Sequence, residues 1–184
     1  MPRRQAYLPS VFLMTDERMG DALWEALDRL PRGAAVIFRH YALPPAERRA
    51  LFDRVRAVAR RRGLVLLLAG TPRLAIAWRA DGAHGRSPHR TASRPLLRTA
   101  PAHDRAEWVA ARRTGCDLAF VSPVFATRSH PGKPALGTIR AGLMVGTHRD
   151  RAVLLGGMTR ARARSLRSMG FTRWAAIDAW SADR

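Results

Sequence analysis

Short apolar runs alternate with amphipathic stretches along almost the whole chain, and this alternation limits the fold more than any other feature. The runs are residues 11–15 (VFLMT), 34–39 (AAVIFR), 64–69 (LVLLLA), 80–84 (ADGAH), 96–100 (LLRTA), 117–121 (DLAFV), 152–155 (AVLL) and 174–177 (WAAI). Each is too short for a helix, and the continuously apolar ones suit parallel strands buried on both faces. Between the first two runs, Met19, Ala22, Leu23, Ala26, Leu27 and Leu30 share one face of a helix over 18–30. Leu51, Phe52, Val55, Val58 and Ala59 do the same over 44–62, which prolines open and Gly63 closes. Shorter helices are expected over 72–78, 104–114, 134–147 and 159–169.

Eight strands alternating with helices describe an α/β fold with a parallel sheet. A closed (β/α)8 TIM barrel fits the count, with an open doubly wound sheet as the alternative. The 184 residues suffice for a single domain over 1–184, and no internal repeat or linker divides them. A TIM barrel typically takes about 250 residues, so this one must be compact. Residues 85–95 (GRSPHRTASRP) lack apolar periodicity and read as a loop in place of a fourth helix. The eighth strand lies so near Arg184 that the last helix is expected to be truncated or missing. Its loss would leave an apolar groove beside the first helix, suited to a second copy of the chain and so to a homo-oligomer.

The net charge of +19 raises the question of nucleic acid. Lys133 is the only lysine, and the arginines are dispersed over every helix without interleaved aromatics. That pattern points to solvated helix faces and a salt-sensitive affinity for polyanions, with no specific nucleic-acid partner. One cysteine, Cys116, excludes a disulfide framework and a thiolate zinc site. No apolar run approaches the roughly 20 residues of a membrane span, so no membrane partner is expected. The basic start MPRRQAYLPSVFLMTD is too short in its apolar part for a signal peptide, which makes a cytoplasmic protein the expectation.

In a barrel of this type the chemistry lies where strands end and the following loops begin. That rule selects Asp16, Arg39 and His40, Gly70 and Thr71, His84 and His89, His103, the stretch from Ser122 through Thr127, Arg128, Ser129 and His130, Gly156 and Gly157, and Asp178. Five of the six histidines fall on this face, whereas Asp16 and Asp178 are the only acidic residues clearly placed there. No short ligand motif such as H-x-H joins the histidines, so hydrogen bonds to backbone are their expected role. The mouth is basic and rich in hydroxyls, which suits a phosphate. The Gly156–Gly157 pair after the seventh strand is a candidate phosphate seat, because phosphate often rests on backbone N–H groups there.

Four of these segments also carry a family pattern. The run 117–137, DLAFVSPVFATRSHPGKPALG, resembles the thiamine phosphate synthase sequence of a strand, then G-P-V-F-x-T-x-T-K, then a loop ending in A-L-G. RADGAH at 79–84, VFLMTD at 11–16 and LLGGM at 154–158 resemble further segments of that family, in the same order. The chain therefore resembles a diverged member of the thiamine phosphate synthase and TenI family. The resemblance implies a transferase of thiamine biosynthesis that joins hydroxymethylpyrimidine pyrophosphate to thiazole phosphate with Mg²⁺. The alternative is a catalytically degenerate TenI-like relative that binds a thiazole phosphate or another phosphorylated ligand.

Carried over by position, Arg39 would grip the pyrophosphate, and His130 stands where the family has a catalytic lysine. Thr127, Ser129, Gly156, Gly157 and Asp178 would line the substrate site, with Asp178 in place of a serine. The magnesium carboxylates are not retained. Gly70 and Thr71 follow the third strand, and the 84–89 segment (HGRSPH) follows the fourth. TenI's catalytic histidine aligns with Pro123.

Overall fold

Eight parallel strands close on themselves in chain order. The computed structural model describes residues 8–88, 95–127 and 134–180. Its strands are β1 (Val11–Met14), β2 (Ala35–Phe38), β3 (Val65–Ala69), β4 (Gly82–His84), β5 (Leu97–Ala102), β6 (Leu118–Val121), β7 (Ala152–Leu154) and β8 (Arg173–Ala176). Each strand pairs with the next, and β8 returns to β1 with Phe12 opposite Ala175 and Leu13 opposite Ala176. This closing ladder rules out the open sheet. The helices are α1 (Ala22–Arg29), α2 (Pro45–Arg62), α3 (Pro72–Ala77), α4 (Arg105–Arg113), α5 (Gly137–Val145) and α6 (Arg160–Ser165).

Alternation along the strands makes two cores. Phe12, Met14, Ile37, Leu67, Phe120 and Val153 fill the barrel interior, where Phe12 and Phe120 meet edge to face at 5.1 Å. Leu13, Val36, Phe38, Leu66, Val121 and Leu154 face outward against the helices. Gly82 sits where these layers leave no room. A Cβ there would lie 2.3 Å from the Leu97 carbonyl oxygen and 2.8 Å from Leu67 Cγ.

The helical stripes hold, and punctuation sets the ends. Gly63 takes φ +64° and donates to the Ala59 and Arg60 carbonyls, which stops α2. The helix expected over 18–30 is broken. A 3-10 turn at Glu17–Met19 runs into Gly20 at φ +49°, and α1 starts only at Ala22. The physical cause is Asp16, whose carboxylate caps that turn through the Arg18 N–H and gives it a separate start. The helix expected over 159–169 divides likewise into α6 and a 3-10 turn at Leu166–Met169.

Among the described residues, β8 is followed by a single 3-10 turn, Asp178–Trp180, and no eighth helix. Trp180 stacks on Trp174 with ring centroids 5.1 Å apart. The groove beside α6 is therefore not an open apolar face: Leu166, Phe171, Trp174 and Trp180 are all buried within the chain.

Gly82→Ala is expected to cost about 3 kcal/mol, the upper range for forcing a methyl into a packed interior. A shift of the denaturant midpoint in a chemical unfolding curve measures this.

Candidate functional site

The ends of β1 and β2 lock together at the barrel mouth. Asp16 continues the inward series of Phe12 and Met14, and Arg39 continues that of Ala35 and Ile37. The Arg39 N–H donates to Thr15 Oγ1 at 3.0 Å, and its Nε donates to the Thr15 carbonyl at 2.8 Å. Its Nη2 meets Asp16 Oδ2 at 2.5 Å, while Arg18 Nε meets Asp16 Oδ1 at 2.7 Å. The Arg18 hydrogen bond, helped by the charge of Arg39, outweighs burial and holds the Asp16 carboxyl below its ordinary 3.8. Asp178 adds its field on Arg18 from the turn after β8. Arg39 thus stands at the end of β2, with much of its guanidinium engaged by Thr15 and Asp16.

Arg48, from the first turn of α2, covers the neighbouring strand ends. Its Nε donates to the Arg39 carbonyl and its Nη2 to the Ala69 carbonyl, both at 2.9 Å. Phe38, Tyr41 and Trp78 surround the guanidinium, with centroids 5.3–5.8 Å away. Arg48 did not stand out in the sequence, because it is one of many arginines on a helix.

The described histidines do not converge. His84 is buried with Nδ1 2.8 Å from Thr99 Oγ1 and its ring 4.9 Å from Phe120. Burial, reinforced by the charges of Arg39 and Arg86, pushes its pKa down to about 3, so the imidazole is neutral. His40 has Nδ1 3.0 Å from Thr15 Oγ1 and stacks on Phe38, and burial lowers its pKa too. His103 Nδ1 lies 2.9 Å from the Ser122 carbonyl. Among the described residues, no three of His, Cys, Asp and Glu gather about a point. His89, Arg128, Ser129 and His130 lie outside the described residues.

Two further carboxylates reach the rim. Glu17 accepts from the Ala42 N–H at 3.1 Å, and Glu107 accepts from Arg86 at 2.7 Å and from the His103 N–H at 2.8 Å. The expectation of only Asp16 and Asp178 on this face was too narrow. The D-x-x-E spacing of Asp104 and Glu107 was the available signal, since a capping box turns the glutamate back towards the loop before the helix.

Mg²⁺ does not fit the donors at the ends of β3 and β4. A hard cation of this kind is bound through carboxylates and phosphates. Gly70, Thr71, His84 and Gly85 stand there. Thr71 Oγ1 caps α3 by accepting from the Leu74 N–H, and His84 is bonded to Thr99. Asp16 is already matched by two guanidinium groups.

The glycine pair lies against the loop after β6. The Val124 N–H donates to the Leu155 carbonyl at 2.9 Å and the Phe125 N–H to the Gly156 carbonyl at 3.0 Å. Gly156 takes φ +96°, and a Cβ there would lie 2.8 Å from Pro123 Cα. At Gly157, with φ +60°, it would lie 2.5 Å from the Ala126 carbonyl oxygen. Close packing is thus sufficient reason for both glycines. Among the described residues, neither N–H donates to a backbone acceptor. The same packing brings Ala126, and so the start of Thr127, to the glycine turn. Arg162 closes the far side, with its guanidinium 4.5 Å from the Phe125 ring centroid and a hydrogen bond to the Gly157 carbonyl.

This arrangement matches known proteins at family level. The family model described as thiamine monophosphate synthase matches residues 11–180. The chain belongs to the thiamine monophosphate synthase and TenI family. No curated protein matches it. Among solved structures, it is similar to thiamine phosphate pyrophosphorylase from Pyrococcus furiosus, with 20% identity, a TM-score of 0.72, and coverage of 95% of this chain and 88% of that one. The corresponding Bacteroides thetaiotaomicron protein gives 15% identity and a TM-score of 0.63, over 94% of this chain and 84% of that one. A 2-keto-3-deoxy-6-phospho-gluconate aldolase from Zymomonas mobilis gives 17% and 0.60, over 94% and 83%. At these identities the structures establish the barrel. No helix among the described residues is long and apolar enough to cross a membrane.

Two outcomes follow for the mouth. Asp16→Asn should lower stability by about 2 kcal/mol at pH 7, the scale of hydrogen bonds to a charged group. A carboxylate with a depressed pKa stabilises fully above its ordinary value and loses that contribution as pH falls through its folded value, so the deficit should shrink as pH falls below 3.8. Denaturation curves at pH 7 and pH 3 measure both. His84 binds its proton less readily folded than unfolded. Its stabilisation is complete above 6.5 and falls away as pH drops from 6.5 towards 3. Nitrogen chemical shifts of the ring should show no titration between pH 8 and about 4.

Proposed function

We propose that the barrel binds a phosphorylated thiazole, or a similar phosphate ester, at the turns after β6 and β7, without the metal-assisted loss of pyrophosphate. The observation that carries this is the Gly156–Gly157 turn, whose N–H groups have no backbone acceptor among the described residues. Backbone donors of this kind suit phosphate oxygens. Thr127 and Arg162 flank the turn and suit the same role. By the family pattern Ser129 and His130 belong beside it. Asp178 opposes it, and Arg18 is the cation whose field offsets that charge.

The second reading is the synthase reaction, joining hydroxymethylpyrimidine pyrophosphate to thiazole phosphate. Family membership and the inward placement of Arg39 favour it. In that reading Arg39 holds the departing pyrophosphate, and His130 stands in for the family's lysine. Against it stand the engagement of Arg39 by Asp16 and the lack of carboxylates at the ends of β3 and β4. Pyrophosphate departure then has only side-chain cations to stabilise it.

Thiazole phosphate at a hundred times its dissociation constant should stabilise the fold by about 2.7 kcal/mol. That amounts to a melting shift of roughly 5–10 °C for a chain of this size. Asp178→Asn should tighten binding several-fold by removing a like charge. No shift at millimolar ligand would reject the binding proposal. Thiamine monophosphate formed from both substrates and Mg²⁺, above a heat-killed control, would establish the second reading.

A further inference from the structure

Away from the mouth, a cavity of about 450 Å³ lies between α6 and β8, on the outer face of the barrel. That volume is within the range of small-molecule sites. Its polar lining holds four arginines beside Ser10 and Thr172. Arg160, Arg164 and Arg167 follow at i, i+4 and i+7, so they share one face of α6 and the turn after it, and Arg173 faces them from β8. Among the described residues, no carboxylate is in the lining. Like charges at such spacing repel one another, and no described lining residue balances them.

Two buried donors point to the same chemistry. Trp180 Nε1 and Arg173 Nε, both on lining residues, are shut from solvent with no hydrogen-bond partner among the described residues, although Arg173 Nη1 donates to the Asp150 carbonyl. A buried donor without an acceptor costs about 1–3 kcal/mol. The Trp180 ring is held by its stack on Trp174 on one side, and the Arg160 guanidinium lies 5.9 Å from its centroid. Arg160 is exposed and can swing aside. The large apolar walls, Leu166, Phe171 and Trp174, are at most 8% exposed, so they offer a partner helix little hydrophobic surface to bury. Arg173 Nη1 finds the Asp150 carbonyl and Thr172 Oγ1, and what the described lining lacks is a negatively charged acceptor.

We propose that this cavity is a second, separate binding site, for a small oxyanion carrying several acceptor oxygens, as in a phosphate ester or a polycarboxylate. The anion sits among Arg160, Arg164, Arg167 and Arg173 and accepts from Trp180 Nε1 once Arg160 moves out. The site does not depend on the function proposed for the mouth.

The test is a melting and Trp-fluorescence titration with inorganic phosphate, citrate and a sugar phosphate, each against sodium chloride at matched ionic strength. The expected result is saturable stabilisation by at least one anion, retained in Arg39→Ala and reduced at least ten-fold in affinity in Arg164→Ala/Arg167→Ala. Trp180→Phe, which keeps the ring stack and removes the N–H, should weaken binding about five-fold and serves if the double variant does not fold. Citrate alone identifies a carboxylate ligand, and phosphate with the sugar phosphate a phosphate ester. Stabilisation matched by sodium chloride, or undiminished in both variants, overturns the proposal as general screening of a +19 chain. A dimer in light scattering that the double variant dissociates, with no anion effect, overturns it in favour of a second copy in the groove.

Discussion

The ladder between β1 and β8 removes both edges of the sheet, and every later feature of the molecule depends on that closure. An open edge would expose a row of unpaired N–H and C=O groups. Closure also forces the inward side chains of eight strands into one small volume, which is why Gly82 has no space for a methyl and why Phe120 lies against both Phe12 and His84. A buried histidine in such a place must be neutral and must bond its ring nitrogen, and Thr99 meets that need. The same crowding lifts Asp16 and Arg39, two residues above the last interior layer of their strands, to the rim, where water still reaches them.

The mouth is organised by charge pairing among its own residues. Asp16 lies between Arg39 and Arg18, Glu107 between Arg86 and the His103 N–H, and Arg48 spans the carbonyls at the ends of β2 and β3. A partly buried carboxylate flanked by two guanidinium groups is a poor magnesium ligand, because much of its charge is already matched. Chemistry in a barrel of this family is grafted on strand ends, so the fold can persist while the site changes. The turns after β6 and β7 differ from the rest of the rim in that backbone packing shapes them, and packing of this kind can outlast the loss of a reaction.

Much of the fold was legible in the chain. All eight strand runs recur within one or two residues of their expected limits, because parallel strands buried on both faces leave little choice of side chain. The stripes on α1 and α2 were equally plain. The break at Gly20 was not, since helical periodicity continues across it and only the cap supplied by Asp16 shows that the chain leaves helical geometry. For the site, position after a strand picked out Asp16, Arg39, His84 and the glycine pair, but it carried no information on which side chains bond each other. Arg18, Arg48 and Glu107 escaped notice because an arginine or glutamate on a helix looks the same whether it is solvated or reaches over a strand end.

Local periodicity and turn residues determined the strands and their alternation with helices, since these reflect which positions must be apolar and where the backbone must turn, and motif resemblance pointed to the family. Tertiary structure alone decided that Arg39 is held by Asp16, that His84 is kept neutral beneath the mouth, and that Trp180 folds back on Trp174 over an arginine-lined cavity. Asp16 and Arg39 are 23 positions apart in the chain, and His84 and Thr99 are 15 apart. The energies of such contacts depend on distance and burial, which a linear pattern of residue types does not contain.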